Sequence, residues 1–353
     1  MFGDALQDIF RAAGIGPSLR WVDDFIFFLL RREFLTEDNK ICKKWRKRIE
    51  ENGGRLQKGG RFWFQGKSLP SDLTEEFTED MSMPLWDCAS TPNEEYAYSM
   101  IDVKAISSQL GVLWERTKDI PFSRVAPFIG FDWDLDRKTV SLQEKKREKY
   151  LHTIVEWQRR KTHVLEDVQK LYGKLLHTCL IVLEGRAYLT KIEKMMGISH
   201  DTPLKPRRPP RHTNSDLLWW LQTLDKPNLT HKIPGPQEVV DIHAFSNASS
   251  TVGIGVVIRD RWRAWALKTG WNNDGRDITW AEAVGMELLV RIIIRDALAG
   301  ARVKIFGDNR GVIEGWWTGR SRNEKVNEVF QADPHYPRPM QVSGIHQIRP
   351  QQI

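Results

Sequence analysis

The chain has little cysteine, no long apolar run and no grouped histidines, and each shortage removes a class of protein. Only three cysteines occur in 353 residues: Cys42, Cys88 and Cys179, far apart and never as C-x-x-C. Scattered thiols in odd number argue against a disulfide framework and for a reducing, intracellular compartment, cytoplasm or nucleus. None of the nine histidines falls at zinc-ligand spacing beside them. The longest apolar run, Phe25 to Leu30, is six residues, against the roughly 18 that span a bilayer, so no membrane partner is expected. The first residues have neither a basic stretch nor a small-residue cleavage site, so no secretory leader is expected. No internal repeat is evident.

What is present is charge and tryptophan. Lys and Arg total 53 against 46 Asp and Glu, a net charge of +7, which suits a polyanionic partner. Hydrophobic residues at 41% can build a core, and at roughly 150 residues per domain the length points to about two domains. The 15 Trp serve either cores or base stacking, and the count does not choose.

Apolar spacing predicts a first helix over Phe2 to Ala13, ended by Gly14-Ile-Gly16-Pro17. LRWVDDFIFFLL, residues 19 to 30, reads as two short strands around a tight Asp-Asp turn. From Arg31 to about Ser99 the periodicity is weak. Lys40 to Lys58 holds eight basic residues against two Glu, and 69 to 98 is acidic with Ser and Pro, a long loop or insertion. Helices are expected over Ile101 to Leu110, Gln143 to Lys161, Leu165 to Leu183 and Gly185 to Met196, with a hairpin over 127 to 142 turning at Asp134 to Lys138. TPLKPRRPPRHT, Thr202 to Thr213, has four prolines and four basic residues and reads as a linker before a short helix, Ser215 to Leu224. Beyond Pro236 come three strands (Val239 to Ser246, Val252 to Ile258, Arg263 to Lys268), a long helix (Asp277 to Leu298), a strand (Arg302 to Gly307) and a helix (Asn309 to Trp317), a self-contained α/β layout.

Asp23 and Asp24 are the first chemical candidates, since adjacent carboxylates at a hairpin tip can hold divalent cations for an in-line displacement; a plain turn uses the same residues. WVDDFIFF resembles the aspartate-pair motif in the palm of reverse transcriptases. LGVLWERTK, ending in Lys118, is similar to the segment carrying the palm lysine that can protonate pyrophosphate. FIGFDWDLDRKTVSL resembles the primer-grip hairpin, and the helices from Gln143 and through LYGKLLHTCL resemble thumb and connection. Residues 239 to 330 resemble the ribonuclease H domain that follows the polymerase in retroelement proteins, through NASSTVGIG, WAEAVGMELL and VKIFGDNRGVIEGWW; WVDDF, GRDITWAEA and GRSRN together resemble fungal retroelements of the tyrosine-recombinase type.

The resemblance implies an α+β palm and thumb remnant over 1–142, with a charged insertion at about 31–99. Thumb and connection helices follow over 143–201, a basic linker and short helix over 202–236, and an α/β ribonuclease H-like domain over 237–353. It implies Mg²⁺ as cofactor and an RNA–DNA hybrid or duplex as partner, with Glu282 and Asp308 as metal-binding carboxylates. Glu287 is a rival for the helix position, but five residues at ~100° each turn it roughly 140° away from Glu282. Asp308 alone would also read as a helix cap.

Two departures matter. The first-strand position is Asn247 where the family has Asp, and a neutral amide brings no charge to Mg²⁺. Asp241 shares its strand face but lies ~20 Å away at roughly 3.3 Å per residue, and Asp333 and His346 are poor candidates for the last carboxylate. Only 22 residues precede Asp23, so the chain reads as the back half of a palm. Basic runs remain at Lys145, Lys146, Arg147 and Lys149, at Arg207, Arg208 and Arg211, and at Arg320 and Arg322, each either a phosphate contact or a solvated face. Trp316 and Trp317 stack on bases or fill a core; Gly253 and Gly255 allow close backbone approach or mark a bulge. The expectation is a retroelement-derived RNA-directed DNA polymerase and ribonuclease H fragment, catalytically impaired; the alternative is a retained nucleic-acid-binding protein without catalysis.

Overall fold

Leu6 and Phe10, one turn apart, bury one face of the first helix, α1 (Phe2–Ala12), while Gly14 at φ +83° lets the chain leave it. The computed structural model describes residues 2–51, 55–56, 62–63, 95–226, 229–233, 239–295 and 302–332. It is a mixed α/β structure with several sheets, and it divides into two units, Met1–Ile129 and Gly130–Ile353. The helices expected over 143–201, the proline-rich segment and the region from 237 therefore all fall in the second unit.

In the first unit β1 (Ser18–Trp21) and β2 (Asp24–Phe27) form an antiparallel hairpin with Trp21 opposite Asp24. Phe10 meets Phe27 edge to face at 5.2 Å, and Tyr98 reaches over to donate to the Phe28 carbonyl at 2.6 Å. Leu6, Phe10, Ile15, Tyr98 and Val103 form the core. The weakly periodic stretch after Arg31 is in fact a 20-residue helix, α2 (Arg32–Glu51). Dense charge conceals its pattern, yet Leu35, Cys42 and Ile49 recur every seven residues. Two short strands follow, β3 (Arg55–Leu56) and β4 (Phe62–Trp63). Most of the acidic stretch at 69 to 98 lies outside the described residues. Helix α3 (Met100–Gln109) starts on a reciprocal cap in which the Ser99 N–H donates to Asp102 at 2.7 Å and Ser99 Oγ accepts from the Ile101 N–H. Strand β5 (Val125–Phe128) closes the unit.

The second unit begins with β6 (Phe131–Asp134) and β7 (Thr139–Leu142), an antiparallel pair turning where the sequence indicated. Helix α4 (Glu144–Arg159) buries Tyr150, Ile154 and Trp157, and α5 (Leu165–Thr178) buries Val168, Leu171 and Leu175. Cys179, immediately after α5, is buried, and burial pushes its thiol up to about 12. The helix expected from Gly185 is a 3₁₀ stretch, Leu183–Leu189, before α6 (Thr190–Ser199). The chain there presses on buried Trp220, whose ring would lie 2.3 Å from a Cβ on Gly185. The proline-rich segment is irregular but attached: His163 and Arg207 exchange backbone hydrogen bonds at 2.9 and 3.0 Å. Helix α7 (Thr213–Leu224) follows, then β8 (Thr230–Lys232), which pairs with β7.

The last layer is a four-stranded sheet of β9 (Val239–Ser249), β10 (Gly253–Ile258), β11 (Arg261–Trp265) and β12 (Arg302–Phe306), in the order β11-β10-β9-β12. The first three are antiparallel neighbours, and β12 returns parallel to β9 after the crossover helix α8 (Ile278–Ile293). On β9, Ile242, Ala244 and Ser246 are buried while Asp241, His243 and Asn247 are exposed, the alternation of a one-sided sheet. Helix α8 lays Ala283, Met286, Leu289, Val290 and Ile293 onto that buried face. Helices α9 (Arg310–Thr318) and α10 (Glu324–Ala332) add Trp316 and Phe330 to the same core, so Trp316 fills a core rather than stacking on a base. The side chain of Trp317 lies outside the described residues. Gly253, at φ +129°, would put a Cβ 2.0 Å from the Trp265 carbonyl, so close approach explains it; Gly255 has open space.

Candidate functional site

The hairpin that carries the aspartate pair turns on Val22 and Asp23, not on both aspartates, because Asp24 already pairs as the first residue of β2. Val22 sits at φ +56°, an unfavourable region for a β-branched residue, and the Arg20 guanidinium donates to its carbonyl at 2.8 Å. Asp23 and Asp24 are both exposed. The segment with Lys118 comes alongside through Trp114, whose ring meets Phe25 edge-on at 5.5 Å. Lys118 itself faces Glu115, whose carboxyl is held below the usual range first by hydrogen bonds from Thr117 and then by the lysine. Among the described residues no group of three or more His, Cys, Asp or Glu gathers as a metal-holding cluster.

The second carboxylate centre lies at one end of the four-stranded sheet. Helix α8 starts on Asp277, whose carboxylate accepts from the Trp280 N–H at 3.0 Å. That start sets the helix phase, so Glu282 turns toward β9 and accepts from the Ala248 N–H at 3.1 Å. Glu287 points elsewhere and binds Arg291 at 2.6 Å. Glu282 is only 6% exposed. Burial first, and then the nearby charge of Asp308, push its carboxyl up to about 7, against the pull of the Ala248 N–H. Asp308 is exposed and follows Gly307 at the end of β12. It is not a cap: the cap of α9 is Asn309, whose side chain accepts from the Val312 N–H.

The register adds the third member. Phe306 pairs with Phe245 across the parallel strands, their rings stacked at 4.7 Å. Two residues further along each chain are Asn247, still within β9, and Asp308, just past the end of β12. Glu282, Asp308 and Asn247 thus share one end of the sheet. Asp241 stays apart beside His243 and Lys304. Asp333 and His346 lie outside the described residues.

The basic candidates separate into kinds. Lys145, Lys149 and Arg208 are exposed. Lys146 is folded over Gly130. Arg147 departs from the expected basic face: it pairs with Glu144 and donates to the Leu224 carbonyl at 2.9 Å, tying α4 to the end of α7. Arg207 donates to Thr202 at 2.8 Å and helps hold the irregular segment in place. Arg211, Arg320 and Arg322 come together around one open cleft, with Lys191, Lys194 and His212, which the sequence reading did not single out. Only the i,i+3 spacing of Lys191 and Lys194 on one helix hinted at them.

No protein-family model matches the chain and no curated protein does. Among solved structures, it is similar to foamy viral protease-reverse transcriptase in complex with an RNA/DNA hybrid, at TM-score 0.30 and 10% identity over 71% of this chain and 33% of that one. Two further structures of that protein, each with double-stranded DNA, give TM-scores of 0.29 and 0.28 at 12% and 10% identity, covering 70% and 95% of this chain and 42% and 63% of theirs. The likeness is weak, and the chain spans less than two thirds of the length of each. Among the described residues no helix is long and apolar enough to cross a membrane.

Proposed function

We propose that this chain is a retroelement-derived relative of reverse transcriptase with a ribonuclease H-like domain, and that it binds nucleic acid without cutting or copying it. The polymerase and ribonuclease H motifs occur in one order along the sequence. The observation that carries the reading is the grouping of Glu282, Asp308 and Asn247 at one end of the sheet: Glu282 on α8 accepts from Ala248, the residue after Asn247 on β9, and feels the charge of Asp308, which follows β12.

That group does not fit a magnesium pair. Two divalent ions need several converging anionic oxygens. Here only two carboxyls come together, buried Glu282 and exposed Asp308, and the first strand offers an uncharged amide at Asn247. Asp23 and Asp24 likewise gather no third carboxylate among the described residues. What remains is a positively charged protein suited to a polyanion.

The test is hybrid cleavage by the full chain in Mg²⁺, measured with an RNA strand labelled at one end. The unaltered protein is expected to leave the RNA intact, and Asn247→Asp to cut it. Robust cutting by the unaltered protein, abolished by Asp308→Asn, overturns the reading. Primer extension on an RNA template should be absent.

A further inference from the structure

We propose that the cleft between α6, the start of α7 and the α9–α10 loop holds the phosphodiester backbone of a nucleic-acid duplex; this rests on the nucleic-acid reading above and names the surface that does the binding. The cleft has a volume of about 730 Å³. Lys191 and Lys194 come from α6, Arg211 and His212 from the segment entering α7, and Arg320 and Arg322 from the loop before α10. Five full positive charges face two negative ones, Glu193 and Glu324. Glu193 is already paired with Arg320, and Lys191 is held by buried Asp216 at 3.0 Å. Lys194, Arg211 and Arg322 make no ion pair among the described residues, so their charges are directed at whatever enters.

The backbone works in the same direction. Helix α6 begins at Thr190 and α10 at Glu324, both lining the cleft, and α7 begins at Thr213, just after His212. Three helix N-termini therefore border one opening, and each adds partial positive charge. The site is also built in advance. Buried Asn327 donates to the Ala187 carbonyl at 2.7 Å and accepts from the Ser321 N–H at 3.1 Å, fixing the arginine loop to the stretch before α6. Gln331 donates to the same Ala187 carbonyl at 3.0 Å. Little ordering remains to be done when a ligand binds.

The lining selects the ligand class. Guanidinium forks suit phosphate oxygens, and several together suit consecutive phosphates. None of the eleven lining residues is Phe, Tyr or Trp, and the lining is dominated by cationic side chains suited to phosphates. Contact is with the backbone and is independent of sequence.

The experiment measures binding of the full chain to a labelled RNA–DNA hybrid by fluorescence anisotropy across a salt series. Two double variants are compared with the unaltered chain: Arg211→Glu with Arg322→Glu inside the cleft, and Lys145→Glu with Lys149→Glu on α4. At about 0.9 per phosphate contact, losing two contacts lowers the slope of log affinity against log salt by ~2. The cleft variant should show that drop and at least a tenfold loss of affinity in low salt, beyond the loss in the α4 variant. The milder Arg211→Gln with Arg322→Gln, at unchanged melting temperature, should lower the slope by the same amount. If the unaltered chain binds and both cleft variants keep its affinity and slope, the cleft is not the site while the nucleic-acid reading stands. If the unaltered chain fails to bind hybrid or duplex even in low salt, both fall.

Discussion

Trp157 and His163 stack face to face, their ring centroids 3.4 Å apart and their planes within 2° of parallel. His163 is 1% exposed, and among the described residues neither ring nitrogen has a hydrogen-bond partner. Burial, helped by Arg160, pushes the imidazole down to about 4 from its ordinary 6.5. Between those two values the unfolded chain takes up a proton that the folded chain refuses. This group's contribution to stability is therefore complete above pH 6.5 and is lost progressively as the pH falls toward 4, by on the order of 3 to 4 kcal/mol at most. His163→Phe keeps a ring on Trp157 and removes the titration. Thermal melts between pH 7 and 4.5 should show a shallower acid decline in that variant. Asn247 is a residue of the opposite kind, with an exposed side chain on β9, so the near-isosteric Asn247→Asp is expected to test chemistry without disturbing the fold.

Helix α8 sets the geometry of the carboxylate centre, and Asp277 sets α8. Its carboxylate caps the helix and also accepts from Asn323 at 3.1 Å, linking the helix start to the loop before α10. Asp277→Ala should cost about 1 kcal/mol, read as a lowered urea midpoint at unchanged slope. Elements with a clean period were legible in the sequence: α1, α3, α4, the β6–β7 hairpin and the strands of the last sheet lie close to where their patterns place them. Three were not. Helix α2 is masked by charge, the 3₁₀ stretch before α6 follows from the close passage at Gly185, and α10 is a nine-residue helix after a Ser-Arg-Asn loop. Helical phase separates Glu282 from Glu287, and the resemblance of WAEAVGMELL, not phase, favours Glu282. The parallel pairing of β12 with β9 and the basic cleft both depend on packing between distant segments, and neither is written in local spacing.

At the scale of the molecule, each unit has its own apolar core. Leu6, Phe10 and Tyr98 belong to one, and Ile242, Met286, Trp316 and Phe330 to the other. A fully buried side chain of this size contributes roughly 1.5 to 3 kcal/mol, and the larger core lies wholly within residues 130–353. A protein of residues 130–353 should unfold in one cooperative transition by circular dichroism; a broad, baseline-like melt would count against an independent second unit. It should also keep the basic cleft, since every group lining it lies in that unit. Cys179 supplies a natural clock for the same unit. A sulfur so far from ionising and so well enclosed reacts with an alkylating reagent only during the moments when its surroundings come apart. The pace of its modification, followed by mass spectrometry of the peptide that carries it, thus counts openings of the native protein without any engineered probe.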